Sequence, residues 1–124
     1  MTARRRRARP PLSWAKLRAC FLSFPGVVES VSYGTPAFRV GKTLLARLHQ
    51  DGADLVLRAG LEESEKLLAA APDTFHVTDH YVGHPWVLAR LQRLRAPDLE
   101  RIVEQAWRAH APQRVIARWD AARR

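Results

Sequence analysis

Short apolar runs separated by tight-turn dipeptides occupy the middle of the chain, and they constrain the fold more than any other feature. Ala37–Val40 and Thr43–Leu48 are separated only by Gly41-Lys42. Asp51-Gly52 then leads into Leu55–Ala59. This pattern predicts antiparallel strands joined as hairpins. A sheet of this kind typically buries one face and leaves the other exposed.

Helical patterns lie on both sides of these strands. Ser13 is a candidate N-cap for a helix that runs to about Leu22, and Pro25-Gly26 ends it before a loop containing Tyr33-Gly34. The later elements are a helix after Gly60, strands at Phe75–Thr78 and Trp86–Leu91, a long helix from Asp98, and a final helical stretch with Val115, Ile116 and Trp119. The long helix has Trp107 on its apolar face, so we expect Trp107 to be buried.

The predicted fold is therefore α+β, with an antiparallel five-stranded sheet and helices on one face. The element order is α-β-β-β-α-β-β-α. A chain of 124 residues is the size of one ordinary domain. We assign residues 12–124 to that domain and residues 1–11 to a disordered basic arm, because Pro10-Pro11 and repelling charges oppose a helix there.

The net charge of +9 is concentrated at the two ends of the chain. Residues 1–9 contain five arginines and no acidic residue, and residues 114–124 contain four arginines and one aspartate. Basic ends beside a nearly neutral body are typical of proteins that bind a polyanion, most often nucleic acid. The alternative is an arginine-rich end with no specific partner.

Several classes of protein are disfavoured by the composition. Cys20 is the only cysteine, which excludes an intrachain disulfide and a cysteine-based zinc site. Uncharged stretches are much shorter than the roughly 20 residues of a membrane helix, and no secretory signal follows the first arginines. We therefore expect a cytoplasmic protein that is a monomer or weak dimer and has no membrane association.

Two motifs suggest chemistry but have simpler explanations. Gly41-Lys42-Thr43 resembles the end of a phosphate-binding loop, but Pro36 stands where the first glycine is needed and a strand follows instead of a helix. His76, His80 and His84 are four residues apart, but Gly83 and Pro85 oppose the helix that would bring them together. We predict no catalytic residues, no metal site and no cofactor.

The predicted strands contain arginines and no acidic residue. Alternation by two places Leu45 with Arg47, Val56 with Arg58, and Trp86 with Arg90 on one exposed face, and Leu44 on the helix-covered face. Arginine pairs with phosphate and an aromatic ring stacks on a base, so this face is a candidate nucleic-acid surface. The alternative is that the arginine stems only keep the face soluble. The candidate contact residues are Arg39, Lys42, Arg47, Arg58, Trp86 and Arg90.

Several short motifs occur along the chain in a recognisable order. They are Phe24-Pro25-Gly26-Val27, Tyr33–Val40, Thr78-Asp79-His80-Tyr81 with Gly83, Pro85-Trp86-Val87-Leu88 with Arg90-Leu91, and Ala106-Trp107-Arg108 with Ala111-Pro112 and Arg114. Together they resemble the MmcQ/YjbR family over about residues 12–120. The resemblance implies a compact fold whose sheet topology is similar to that of type III secretion chaperones. Members are commonly labelled DNA-binding by structural analogy, and the family offers no accepted catalytic residues.

The sequence thus favours a small, non-enzymatic protein that binds nucleic acid, with DNA as the expected target, mainly through phosphates. A protein-interaction or chaperone-like module that uses the same sheet face is the first alternative. The second is an enzyme acting near His76, His80, Tyr81 and His84.

Overall fold

The computed structural model describes residues 12–124, so the predicted arm at residues 1–11 lies outside the described residues. This part of the chain forms four α-helices and one antiparallel sheet of six strands. The elements in chain order are α1 (Trp14–Leu22), β1 (Val27–Ser32), β2 (Thr35–Val40), β3 (Thr43–Leu48), β4 (Asp54–Arg58), α2 (Leu61–Ala70), β5 (Phe75–His76), β6 (Trp86–Arg90), α3 (Ala96–His110) and α4 (Gln113–Ala122).

The strands are ordered β1-β2-β3-β4-β6-β5 across the sheet, and every neighbouring pair is antiparallel. The predicted α+β class and antiparallel sheet are confirmed. The predicted number of five strands is wrong, because residues 12–124 contain a sixth strand, β1, ahead of the predicted hairpins. Strand β5 is also shorter than the predicted Phe75–Thr78 and ends at His76.

The helices cover one face of the sheet. Side chains from all four helices join alternate residues of β4 and β6 in a single apolar cluster, which places the core between the sheet and the helices. Trp107 of α3 is fully buried there, as predicted, and its Nε1 donates a hydrogen bond of 2.8 Å to the carbonyl oxygen of Pro25. That bond satisfies the one polar group of the indole ring.

Helix α1 begins where the sequence predicts it, after Ser13. The Oγ atom of Ser13 accepts a hydrogen bond of 3.2 Å from the backbone N–H of Lys16, so Ser13 is the N-cap of this helix.

Cys20 is half-buried on α1, and burial, together with the charge of Glu100, raises the pKa of its thiol to about 11. The thiol is thus protonated at neutral pH and packs as a small apolar group. No helix between residues 12 and 124 is long and apolar enough to cross a membrane.

Candidate functional site

The sheet face opposite the helices carries the predicted arginines. Arg47 of β3 pairs with Val56 of β4, and Arg58 of β4 pairs with Trp86 of β6. Directly paired residues point to the same face of a sheet, so Arg47, Arg58 and Trp86 share one face, as the two-residue alternation predicted. Arg90 pairs with Asp54 farther along the same two strands.

One strand departs from the predicted alternation. The pairing of β2 with β3 shifts by one residue, so that Phe38 opposes Ala46 while Arg39 opposes Leu44. The extra residue, Leu45, turns into the helix-side core, and Leu44 takes its place on the opposite face. The prediction that Leu45 shares the face of Arg47 is therefore wrong. A β-bulge of this kind reverses the alternation on one side of the insertion.

A cavity of about 550 Å³ opens on this face. Its walls come from the β1–β2 turn, from β3 and β6, and from the irregular segment that precedes β6. Six side chains give it its chemistry: Tyr33, Arg47, His49, His80, Tyr81 and Trp86. None of the described residues that line it is acidic. The face is thus partly covered and concave, where the sequence predicted a fully exposed one.

Arg47 lies at the base of this cavity and is only 6% exposed. Its Nη2 donates to the hydroxyl of Tyr81 at 3.0 Å, and its Nη1 lies 3.3 Å from Oε1 of Gln50. No carboxylate within residues 12–124 forms an ion pair with it. Buried arginines usually have a carboxylate partner, because isolated buried charges are costly. This guanidinium therefore holds an uncompensated positive charge beside an open cavity.

Tyr33 closes one side of the cavity from an unusual backbone position. Ser32 pairs with Thr35, so Tyr33 and Gly34 form a two-residue turn between β1 and β2. Both have positive φ, 53° for Tyr33 and 78° for Gly34, the pattern of a type I′ turn. Asparagine and glycine are favoured in this turn, whereas tyrosine in a left-handed conformation is strained. The side chain is also 79% exposed, so packing does not account for its presence.

Arg47 and Tyr33 form one cation–aromatic pair, and Arg58 and Trp86 form a second. Cζ of Arg58 lies 4.4 Å from the Trp86 ring centroid, and Nε donates a hydrogen bond of 2.6 Å to the carbonyl oxygen of Leu44. Burial lowers the pKa of Arg58 from its ordinary value, but an arginine stays charged at neutral pH. Trp86 lines the cavity, so this pair adds an aromatic ring and a second cation near its wall.

The other predicted contact residues lie apart from the cavity. Arg39 is half-buried, and its Nε donates to Oγ of Ser30 at 3.2 Å. Arg90 is exposed, and its Nη1 donates to the carbonyl oxygens of Pro72 and Asp73 in the loop that follows α2. Lys42 is exposed in the β2–β3 turn and lines a different cavity. The structure therefore divides the six predicted residues into Arg47, Arg58 and Trp86 near the cavity and three others outside it.

The three histidines spaced by four are not brought together. His80 lines the cavity and packs edge-on against Tyr81, with ring centroids 5.0 Å apart. His76 Nε2 lies 3.2 Å from Oδ2 of Asp54, and His84 is exposed in the segment before β6. Within the described residues, a different group, His49, Asp51 and Asp54, places one potential metal ligand atom each within 4.8 Å of the others.

The placement of the Asp51 carboxylate in that group is explained by hydrogen bonds within its own turn. Its Oδ1 accepts the backbone N–H groups of Ala53 and Asp54 at 2.8 Å and 3.0 Å. An aspartate that caps its own turn in this way is common and needs no metal.

Sequence reasoning included Trp86 in the candidate surface but neither tyrosine of the cavity. Tyr33 was assigned to a loop and Tyr81 was given a role only in the enzyme alternative, and the two are 48 positions apart in the chain. A signal for Tyr33 exists in hindsight: tyrosine precedes glycine at a point where two strands meet. The resulting site offers one buried cation, three aromatic rings and two imidazoles, which can bind an anion that carries an aromatic group.

The comparisons with known proteins identify the family. The YjbR family model matches residues 22–109, and the chain belongs to this family. Uncharacterized protein Rv2570 of Mycobacterium tuberculosis is 32% identical over 97 residues, covering 64% of this chain and 75% of that protein. Uncharacterized protein Mb2600 of Mycobacterium bovis matches with the same identity and coverage.

A solved structure shows the same fold. The crystal structure of Deinococcus radiodurans protein DR2400, a DUF419 domain, superposes with a TM-score of 0.63 and 23% sequence identity. The similarity covers 80% of this chain and 78% of the other. This likeness concerns the fold and says nothing about a ligand.

Proposed function

We propose that this protein binds single-stranded nucleic acid, without catalysis, on the sheet face that contains the cavity. The observation that carries the proposal is the buried, carboxylate-free guanidinium of Arg47 beneath the exposed ring of Tyr33. An unpaired buried charge lowers the stability of the protein, and an anion that pairs with the guanidinium reduces this cost.

A nucleotide matches both parts of this arrangement. Its phosphate can pair with a guanidinium through two parallel hydrogen bonds, and its base can stack on an exposed aromatic ring. Tyr33 offers an exposed ring in the β1–β2 turn, and Trp86 offers a second ring on β6. The volume of about 550 Å³ lies in the range of pockets that hold small organic ligands, and thus of a single nucleotide unit.

The concave shape favours single strands over a duplex. A base that is paired and stacked within a duplex cannot enter a cavity, and extracting it costs a few kcal/mol. Bases in a single strand are already available for stacking on protein side chains. The five arginines of residues 1–9 add phosphate contacts that do not depend on sequence.

Fluorescence anisotropy with labelled oligothymidylate of about ten nucleotides tests this proposal, with a duplex of equal length as the comparison. We expect tighter binding of the single strand at about 50 mM salt and clear weakening at about 200 mM. Replacing Arg47 with Met should reduce the slope of log affinity against log salt by about 0.7. The matched control is Arg101→Met on α3, which should leave the slope unchanged because the Arg101 side chain pairs with Glu63 of α2 on the helix side. Equal binding of duplex and single strand would contradict the use of the cavity.

A second candidate is a protein partner at the edge of the sheet. Among the described strands β1 pairs only with β2, and its Val28 and Val31 are 53% and 69% exposed. An exposed, apolar edge strand can accept another strand. Sedimentation equilibrium of the parent and of Val28→Lys/Val31→Lys tests it, because an association that depends on β1 should disappear in the variant. A parent that stays monomeric over the accessible concentrations counts against self-association.

A further inference from the structure

A second cavity lies between the β2–β3 turn and α4. Its volume is about 670 Å³, and it shares no lining residue with the cavity of Arg47. The α4 side of it lies C-terminal to the family match at residues 22–109. The nucleic-acid proposal does not involve this second cavity.

The walls of this cavity are largely apolar. Val40 contributes from β2, and Pro112, Val115 and Trp119 contribute from the start and body of α4. Trp119 is held in place by aromatic contacts with Phe24 and Trp107, whose ring centroids lie 5.5 Å and 5.0 Å away. The cavity thus has a preformed, rigid apolar wall, which is typical of sites for small organic molecules.

Two positively charged side chains line the same cavity. Lys42 and Arg118 are exposed and form no ion pair with any residue of the 12–124 segment. None of the described lining residues is acidic. The nearby carboxylate on α4, Asp120, is occupied by two hydrogen bonds from Arg108, at 2.6 Å and 3.0 Å.

His110 is the remaining titratable lining group. Its burial and the positive charge of Arg58 lower its pKa from its ordinary value of 6.5. It is therefore neutral at neutral pH and leaves the charge of the site to Lys42 and Arg118. An apolar pocket with two cations and no acidic residue is complementary to a molecule with one apolar end and one anionic end.

We propose that this second cavity binds a free fatty carboxylate. The acyl chain lies along Val40, Val115 and Trp119, and the carboxylate pairs with Lys42 and Arg118. Burial of the chain supplies most of the affinity, because the free energy of binding becomes more favourable with each methylene removed from water. The exposed ion pairs select the anion over a cationic or neutral amphiphile of the same length.

Isothermal titration of the full chain with dodecanoate below its micelle concentration tests the proposal. We expect saturable binding with one site, binding of dodecanol that is weaker by about tenfold, and still weaker binding of dodecyltrimethylammonium, whose positive charge is repelled. Lys42→Gln/Arg118→Gln should weaken dodecanoate binding by about tenfold. The matched control Lys16→Gln/Arg114→Gln removes one lysine and one arginine outside the cavity and should leave binding unchanged.

A second measurement keeps the test independent of any variant that folds poorly. Dodecanoate should shift the NMR signal of the Trp119 indole N–H and leave that of Trp86 in place. Equal affinity for the three amphiphiles would overturn the proposal as non-specific detergent binding. Binding to phosphatidylglycerol vesicles without binding to monomeric dodecanoate would overturn it in favour of a membrane surface. Tyr33→Asn should bind dodecanoate normally, which separates this site from the nucleic-acid proposal.

Discussion

The ring of Tyr33 lies over the guanidinium of Arg47, with 5.0 Å between the ring centroid and Cζ. The tyrosine occupies a strained left-handed position, and the arginine is buried without a carboxylate. Each feature is unfavourable for stability on its own. Their meeting at one cavity is the basis for the function proposed for this face, since such features concentrate at functional sites.

Replacing Arg47 with Met should leave the free energy of unfolding within about 1 kcal/mol of the parent value. The lost hydrogen bonds are offset by relief from burying a charge, because exchanging a buried charge for an apolar side chain of similar volume is often neutral. Urea denaturation measures the change. A loss of more than about 3 kcal/mol would show that Arg47 serves mainly to hold the fold.

Replacing Trp107 with Ala should lower the free energy of unfolding by about 3–5 kcal/mol. The ring is fully buried, contacts Phe24 and Trp119, and donates a hydrogen bond to Pro25. Thermal unfolding followed by circular dichroism gives the difference. An unchanged melting temperature would mean that α3 does not pack against the sheet through this residue.

Asp120→Asn should destabilise the protein at neutral pH but not in strong acid. Hydrogen bonds from Arg108 hold the pKa of the Asp120 carboxyl below its ordinary value of 3.8. The stability that this pairing contributes is present above about pH 3.8 and is lost as pH falls through the lower value of the folded state. Melting temperatures of parent and variant should therefore differ at pH 7, and the difference should shrink as pH falls below about 3.8. A difference that stays constant over this range would exclude the ion pair as its cause.

The parts of the fold that follow local rules were predictable from the sequence. Glycine-containing dipeptides identified the turns on either side of β3, and the apolar face of α3 identified Trp107 as a core residue. Both signals lie within a few neighbouring residues. Strand β1 was missed because it is an edge strand, and its mixture of buried and exposed positions gives no regular alternation.

The candidate site was predictable only in part. The two-residue alternation of strand side chains predicted that Arg47, Arg58 and Trp86 share one face, and the pairing of β3, β4 and β6 agrees with this prediction. The bulge that exchanges Leu44 and Leu45 has no local sequence signal, because both residues are leucine. The contacts of Arg47 with Tyr33 and Tyr81 depend on tertiary structure, since these residues lie 14 positions before it and 34 after it.

The variant Tyr33→Asn, measured for both folding and binding, tests the central claim most directly. Asparagine suits the left-handed turn position, and the gain of about 1 kcal/mol from relieved strain is offset by the loss of an exposed cation–aromatic contact of similar size. Stability should therefore change by less than about 1 kcal/mol, while affinity for oligothymidylate falls by about 1–3 kcal/mol through loss of base stacking. The control Val31→Ala, an exposed residue of the same hairpin, should change neither. Unchanged affinity in Tyr33→Asn, with the parent binding normally, would contradict the claim that this cavity holds a nucleotide.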